Sequence, residues 1–289
     1  MATATAPIPA TTRMGPVSLS VGDLDRSLSY YGDHVGLALL GRQDGRASLG
    51  AGGTELLALA EEPGARAAGR YTGLYHFALR VPERADLARW LAHAARERVP
   101  LVGLSDHFVS EAIYLVDPDG HGIEIYHDRP RELWEGQVAV RLVTDPLDVG
   151  ALLAELDDPA TEPFTGLPAG TDMGHVHLQV ADVAETLGFY RDVLGFELMA
   201  EIPGSAVFLA VGGYHHHVGA NTWHSRGAAP APEGTARLLH ATVVLPDAEA
   251  RGRVAARVEA AGGKPEQRDE GGVLVRDPSG IGLLLITAS

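Results

Sequence analysis

VSLSVGDLDRSLSYYGDHVGLALL, residues Val17–Leu40, is repeated later in the same chain as VHLQVADVAETLGFYRDVLGFELM, residues Val176–Met199. The two segments align without a gap at an offset of 159 positions, so that Asp23 corresponds to Asp182. A repeat of this length indicates that the fold is built from a recurring structural unit.

A second pair of segments is repeated downstream of the first. LYHFALRVP, which ends at Pro82, corresponds to LLHATVVLP, which ends at Pro246. The turn sequence Asp117–Gly120 likewise corresponds to Asp277–Gly280. The chain therefore has the order A-B-A′-B′, with four units in all.

Each unit begins with a strand pattern, as in the alternating apolar residues Val176, Leu178 and Val180. Short apolar runs separated by Gly or Pro turns close the unit, and they predict further strands at 112–116 and 123–126 around the turn at 117–120.

Between the opening strand and these runs, the spacing of apolar residues predicts a helix in each unit. The predicted helices include Asp182–Leu194, which Gly195 ends, Glu83–Arg98 and Asp247–Ala261. One strand, one helix and three strands make a βαβββ unit. We therefore predict an α+β fold of four βαβββ modules that form two barrel-like, half-open sheets.

The spacing of these units predicts the domain organisation. Residues 15–128 form an N-terminal domain of modules 1 and 2, and residues 172–289 form a C-terminal domain of modules 3 and 4. The Ala-, Thr- and Pro-rich residues 1–14 are predicted to be a disordered tail. Residues 129–171 are predicted to be a linker with a short amphipathic helix near 147–156.

Composition excludes several classes of function. The 289 residues carry a formal net charge of -15, which repels phosphate backbones and anionic lipid. No apolar run approaches the roughly 20 residues that span a bilayer. We therefore expect a cytoplasmic protein that binds neither nucleic acid nor membrane. Cysteine is absent and there are 13 histidines, so any metal must be held by His and carboxylate groups.

Three motifs carry a resemblance to a known family: MGHVHLQV around His175, GLYHFALRV around His76, and DPDGHGIE, which ends at Glu124. From about Gly15 to the end, the chain resembles the vicinal oxygen chelate (glyoxalase/bleomycin resistance/extradiol dioxygenase) superfamily. Within it, the similarity is to two-domain proteins of the catechol 2,3-dioxygenase type. The resemblance implies that His76, Glu124 and His175 bind a metal, Fe(II) or alternatively Mn(II), as a triad of two imidazoles and one carboxylate.

The internal repeat serves as a control for these ligands. The position equivalent to His175 is Pro16 in the first unit, and the position equivalent to Glu124 is Leu284 in the fourth. Only His240 is retained, as the counterpart of His76. The second and third units therefore hold the complete set, whereas the common extradiol arrangement uses the third and fourth. Either these two units pair directly within one chain, or they assemble between chains.

The same resemblance implies three further catalytic residues. His216 in GGYHHHVGANTW matches the acid–base histidine, and Tyr114 matches the active-site tyrosine. His107 is similar to a histidine near the metal, although its spacing to Glu124 is two residues shorter than usual. We interpret His177 and His215 as structural residues.

The function implied is extradiol ring cleavage of catechol or a substituted catechol with O2, by a homo-oligomeric oxidoreductase. The aromatic residues Tyr114, Trp223 and Phe108 are predicted pocket walls for such a ring. One alternative is another metal-dependent enzyme, a glyoxalase-like isomerase or a lyase, although such enzymes usually have a second carboxylate. Another is a metal-free protein that binds small molecules and confers resistance.

Overall fold

The computed structural model describes residues 6–141 and 143–288 and confirms the predicted βαβββ modules. The first half of the chain contains β1 (Arg13–Val21), α1 (Leu24–Tyr30), β2 (Ala38–Gln43), β3 (Arg46–Ala51), β4 (Thr54–Glu61), the short β5 (Arg66–Ala67), β6 (Gly73–Arg80), α2 (Arg84–Glu97), β7 (Leu101–Asp106), β8 (Ser110–Val116) and β9 (Gly122–Asp128). A 3-10 turn at Arg131–Leu133, β10 (Asp145–Pro146) and α3 (Val149–Leu153) follow.

The second half repeats this arrangement. It contains β11 (Asp172–Gln179), α4 (Val183–Leu187), β12 (Glu197–Ile202), β13 (Ala206–Ala210), β14 (Val218–Asn221), the short β15 (Thr235–Ala236), β16 (Leu238–Leu245), α5 (Ala248–Ala260), β17 (Glu266–Gln267), β18 (Val273–Arg276) and β19 (Gly282–Thr287). A 3-10 turn at Asp269–Gly271 precedes β18.

The helices begin and end where the sequence predicts. Asp182 and Asp247 each accept a hydrogen bond from the backbone N–H three residues later, which satisfies a free donor of the first turn. In the third module, α4 continues as a π-helix over Gly188–Leu194, and it ends at Gly195 in the left-handed conformation, with φ of 91°. A residue with a side chain is strained at such a φ, so glycine is the natural stop.

The strand order shows how the modules pair. One sheet has the order β17-β18-β19-β16-β1-β4-β3-β2, and the other β10-β7-β8-β9-β6-β11-β14-β13-β12. Strand β1 pairs antiparallel with β16, and β6 pairs antiparallel with β11. Modules 2 and 3 thus form one curled sheet, and modules 1 and 4 form the other. This settles the question that the sequence leaves open, because the second and third units pair within a single chain.

The repeated turn sequence has a structural role in joining neighbouring modules. Asp117 accepts hydrogen bonds from the backbone of its own turn through Oδ1, and its Oδ2 accepts a hydrogen bond of 2.8 Å from the Tyr31 hydroxyl of module 1. Asp277 and Tyr190 make the corresponding contact between modules 3 and 4. These buried contacts connect module 1 with module 2 and module 3 with module 4, while the sheets connect module 2 with module 3 and module 1 with module 4. The division into domains at 15–128 and 172–289 stays a prediction.

The N-terminal segment differs from the predicted disordered tail. Residues 1–5 lie outside the described residues, but residues 6–14 are ordered against the core. Ile8 is 4% exposed, its N–H donates to the Gly195 carbonyl, and Thr12 and Met14 are also buried. A segment with few apolar residues is expected to be disordered unless one of them packs against the core. Here Ile8 packs into a groove beside Gly195.

We expect Ile8→Ala to lower the free energy of unfolding by about 2–4 kcal/mol, because a buried isoleucine loses its packing. Denaturant unfolding measures the change. Thr11→Ala, an exposed neighbour, is the control and should stay within about 0.5 kcal/mol of the parent protein. An equal, small effect of both substitutions would show that this segment does not contribute to the core.

The predicted linker, residues 129–171, contains the short helix α3 inside the segment predicted for it. Trp134 and Val138 from its first part pack with Val109 of module 2 and Ala200 of module 3. The linker therefore covers one face of the sheet formed by modules 2 and 3. Within residues 6–141 and 143–288, no helix combines the length and the apolar character that crossing a bilayer requires.

Candidate metal centre

Three neighbouring strands at the centre of the nine-stranded sheet carry the predicted metal ligands. His76 lies on β6, Glu124 on β9 and His175 on β11. Strand β9 runs parallel to β6, and β11 runs antiparallel to β6, so the three side chains meet on one face. His177 is the register partner of His76, and His175, two residues earlier on β11, lies diagonally across from His76 on the same face.

The donor atoms of these side chains converge. Glu124 Oε2 lies 3.0 Å from His76 Nε2 and 3.1 Å from His175 Nε2, and the two Nε2 atoms are 3.4 Å apart. The side chains are buried, with residue exposures of 7% for His76 and 2% for each of the others. Among the described residues, this is the one group of three or more His and carboxylate side chains that is close enough to hold a metal ion.

Burial and charge favour the metal-binding protonation state. Burial alone would raise the pKa of Glu124, but the two imidazoles hold that pKa well below its usual value. Burial lowers the pKa of His175. The group is thus a carboxylate beside a neutral imidazole, the form in which these side chains bind metals.

The distances fit a shared cation. Donor atoms bound at right angles about 2.1 Å from one ion lie about 3.0 Å apart. Without a cation, the contact of 3.4 Å between His76 Nε2 and His175 Nε2 requires one ring to donate its N–H to the lone pair of the other. The donor set of two imidazoles and one carboxylate leaves positions open for other ligands and suits Fe(II) or Mn(II).

The equivalent positions of the eight-stranded sheet lack this arrangement. Pro16 and Leu284 occupy the positions of His175 and Glu124, and His240 on β16 has Ser18 as its register partner on β1. Burial and the nearby Arg268 lower the pKa of His240 to about 4. His240 is therefore a neutral, half-buried residue outside the group of converging donors.

Tyr114 and His107 lie together beside the candidate metal centre. His107 Nδ1 is 3.0 Å from the Val143 carbonyl, which can only accept, so this nitrogen carries the proton. In the neutral ring, Nε2 then accepts the hydrogen bond of 2.7 Å from the Tyr114 hydroxyl. Burial and the Glu124 carboxylate raise the pKa of Tyr114 well above its usual value, so the hydroxyl stays protonated.

His216 lies on the other side of the centre, in the loop between β13 and β14. Its ring centroid is 4.0 Å from that of His175, and burial lowers its pKa well below the usual value. All six residues singled out by the resemblance, His76, His107, Tyr114, Glu124, His175 and His216, line one cavity of about 460 Å³. Their roles stay predictions.

Two of the three predicted aromatic walls line this cavity. Tyr114 and Trp223 face it, whereas Phe108 does not. Phe108 packs instead against the cluster of Val109 and Trp134, with Arg141 stacked over its ring at 3.6 Å. Phe108 lies in the turn between β7 and β8, with a positive φ of 67°.

The structure also brings residues to the site that the sequence interpretation assigned to structural roles or did not single out. His177 and His215 line the same cavity, and His215 Nε2 donates a hydrogen bond of 2.8 Å to Asp128 Oδ1. The sequence contained a signal for two of these residues. His177 follows His175 by two residues and Asp128 follows Glu124 by four, so each lies on the same strand face as a predicted ligand.

Comparison with known proteins shows the family of the chain. The model of the glyoxalase/bleomycin resistance protein/dioxygenase superfamily matches residues 13–125 and 172–285. The catechol-2,3-dioxygenase of Bacillus subtilis (strain 168) is 42% identical over 275 residues, which cover 92% of this chain and 94% of that protein.

Solved structures share the fold at low sequence identity. The crystal structure of a Bacillus subtilis protein proposed to be a dioxygenase superimposes with a TM-score of 0.65 and 16% identity, over 98% of this chain and 86% of that one. Glyoxalase I from Zea mays superimposes with a TM-score of 0.59 and 19% identity, over 96% of this chain and 92% of that one. By its two matched segments, its relative and its architecture, the chain belongs to the glyoxalase/bleomycin resistance protein/dioxygenase superfamily.

Proposed function

We propose that the protein is a metal-dependent extradiol dioxygenase that cleaves catechol or a substituted catechol with O2. The observation that carries the proposal is the buried convergence of His76, Glu124 and His175 in a cavity that also contains His216 and Tyr114. The relative at 42% identity, a catechol-2,3-dioxygenase, supports the same reaction class.

The proposed ligands hold Fe(II), or Mn(II) with the same donors, through His76 Nε2, His175 Nε2 and a Glu124 carboxylate oxygen. When bound, the metal supplies chelation of both diol oxygens and electron transfer between the diol and dioxygen. The donor group contains a single carboxylate, which favours this chemistry over the glyoxalase-like isomerase alternative, for which the family resemblance implies a second carboxylate.

His216 is the proposed proton carrier. Its Nδ1 lies 2.8 Å from His215 Nδ1, and the ring lines the cavity beside His175. A neutral imidazole in this position can accept a proton from a diol hydroxyl and later return one.

Tyr114 is the proposed partner of a substrate or oxygen-derived oxygen atom. Its hydroxyl lies 2.7 Å from His107 Nε2, and the side chain lines the cavity beside Glu124. His107 in turn is oriented by the Val143 carbonyl of the linker. The pair thus connects the linker that covers the site to the reacting centre.

The cavity suits a small aromatic diol. Its volume of about 460 Å³ falls within the range of about 300–1,000 Å³ typical of small-molecule sites. Apolar side chains, among them Ile123, Phe208 and Trp223, form the walls around the polar group. Such walls exclude water and pack against a ring.

The experiment is anaerobic reconstitution with Fe(II), followed by addition of catechol and air-saturated buffer. We expect oxygen uptake that matches substrate loss and the appearance of a yellow ring-fission product. Resorcinol, in which the hydroxyl groups are not adjacent, is the matched control and should give neither signal. Metal binding without oxygen uptake for any vicinal diol would contradict the proposal.

A further inference from the structure

The cavity that contains the candidate metal centre has an apolar opening. Four large apolar residues that line it are exposed, from 39% for Ile202 to 67% for Val102, with Val116 and Trp223 between these values. The three converging donors line the same cavity but are at most 7% exposed. The cavity therefore leads from a buried, polar floor to an apolar opening, and we call these four residues the rim.

The rim is formed by both modules of the nine-stranded sheet. Val102 lies on β7 and Val116 ends β8, in module 2. Ile202 ends β12, and Trp223 follows β14, in module 3. Strands β7 and β12 lie near opposite edges of the sheet, yet all four residues line one cavity. A molecule that enters through the opening thus passes apolar side chains of both modules.

Trp223 is held in place although it is 44% exposed. Its Nε1 donates a hydrogen bond of 2.9 Å to Ser205 Oγ, and its backbone N–H donates one of 3.0 Å to Asn221 Oδ1. The ring centroid lies 5.4 Å from that of Tyr75 and 5.6 Å from that of His177, and both of these residues line the cavity. Because the indole N–H already has a partner, the ring offers a ligand its apolar surface.

The cavity is larger than catechol requires. Its volume of about 460 Å³ lies in the range of about 300–1,000 Å³ that encloses drug-sized ligands, whereas catechol is a single ring with two hydroxyl groups. A ring whose hydroxyl oxygens reach the converging donors occupies the floor and leaves the rim uncovered. Apolar side chains gathered around one opening stay in contact with water unless a ligand covers them, and covering them is favourable.

The charges around the cavity favour an apolar ligand group over an anionic one. Apart from histidines, Glu124 and Arg141 are the charged residues among the described residues that line it. Glu124 belongs to the candidate metal centre. The exposed Arg141 stacks its guanidinium over the Phe108 ring at 3.6 Å. Solvent screens an exposed cation of this kind, so the apolar side chains dominate the opening.

We propose that the substrate of this site is a vicinal diol ring with an apolar substituent, an alkyl chain or a second aromatic ring, and that the rim binds this substituent. The proposal rests on the proposed function in taking the ring to be a diol at the metal centre. The rim residues determine specificity and take no part in the chemical step. Each methylene group that the rim covers should tighten binding about two- to fourfold.

Monophenols test the rim without turnover, because they lack the adjacent hydroxyl group that ring cleavage requires. Titration calorimetry of the full chain, after Fe(II) loading and under anaerobic conditions, compares phenol with 3-butylphenol, 4-butylphenol and 4-hydroxyphenylacetate. The two butylphenols direct the same chain along different paths from the ring. We expect at least one of them to bind more than about tenfold more tightly than phenol. The anionic 4-hydroxyphenylacetate should bind no more tightly than phenol.

A double variant, Val102→Ser with Ile202→Ser, makes the rim polar at two exposed positions, where substitution is compatible with folding. It should reduce the preference for butylphenol over phenol at least about fivefold, because two apolar contacts are lost. Leu39→Ser is the matched control, since Leu39 is 54% exposed but lies on β2 of the other sheet. It should leave the preference unchanged.

The outcomes separate this proposal from the proposed function. Equal affinity of the parent protein for phenol and both butylphenols would overturn it, even if catechol is cleaved. Full retention of the preference by the double variant would overturn it too. Tighter binding of 4-hydroxyphenylacetate that is lost in Arg141→Gln would assign an anionic substituent to the opening instead. The expected preference in a protein that cleaves no diol would refute only the dioxygenase function.

Discussion

Glu124→Gln is expected to abolish high-affinity metal binding and ring cleavage together. The carboxylate supplies the one negative charge among the three converging donors, and Oε2 is the atom nearest to both imidazoles. A neutral amide cannot balance a divalent ion in a buried site. Metal affinity should fall by more than about 100-fold, the upper end of the cost of losing a group that only supports a ligand.

Metal content after Fe(II) loading and competition against a chelator measure this loss. His76→Ala should behave like Glu124→Gln, because each removes one of the converging donors. His240→Ala is the matched control, since it removes the equivalent histidine of the other sheet. If His240→Ala alone abolished metal binding, the site would have to be assigned to modules 1 and 4.

His216→Gln is expected to lower kcat about 100- to 10,000-fold, the range for loss of a positioned acid–base group. Metal content should stay at the level of the parent protein, because His216 contacts the ring of His175 but is not one of the converging donors. Single-turnover ring fission under known metal loading separates this effect from metal loss.

His224→Ala provides a control for His216→Gln, because His224 is an exposed histidine that follows the cavity residue Trp223. It should leave kcat unchanged. A His216 variant with a raised KM and an unaltered kcat would assign His216 to substrate binding and not to proton transfer.

Local rules predicted the elements of this fold well. The helices at 83–98 and 247–261 are confirmed to within one residue at each end, because an N-cap and an amphipathic pattern are properties of a short segment. The α+β architecture of four modules is confirmed for the same reason, since each repeat carries its own strand and turn signals. The predicted tail is wrong for residues 6–14, because the groove that receives Ile8 is formed by residues far along the chain.

The six candidate site residues came from motif positions, and the structure brings all of them to one cavity. Sequence reasoning did not bring His215 and Asp128 together, because they are 87 positions apart and belong to different modules. The same holds for the contact of Trp134 and Val138 with modules 2 and 3.

The sequence by itself determined the four modules, their helices and turns, and the candidate ligands, because repeats, caps and motif spacing are encoded in contiguous residues. Only the tertiary structure decided that β6 pairs with β11 within one chain. It also decided that Asp128 contacts His215, which in turn contacts His216. Strand pairing and side-chain hydrogen bonds between modules depend on how distant surfaces pack, and no local pattern in the sequence records that choice.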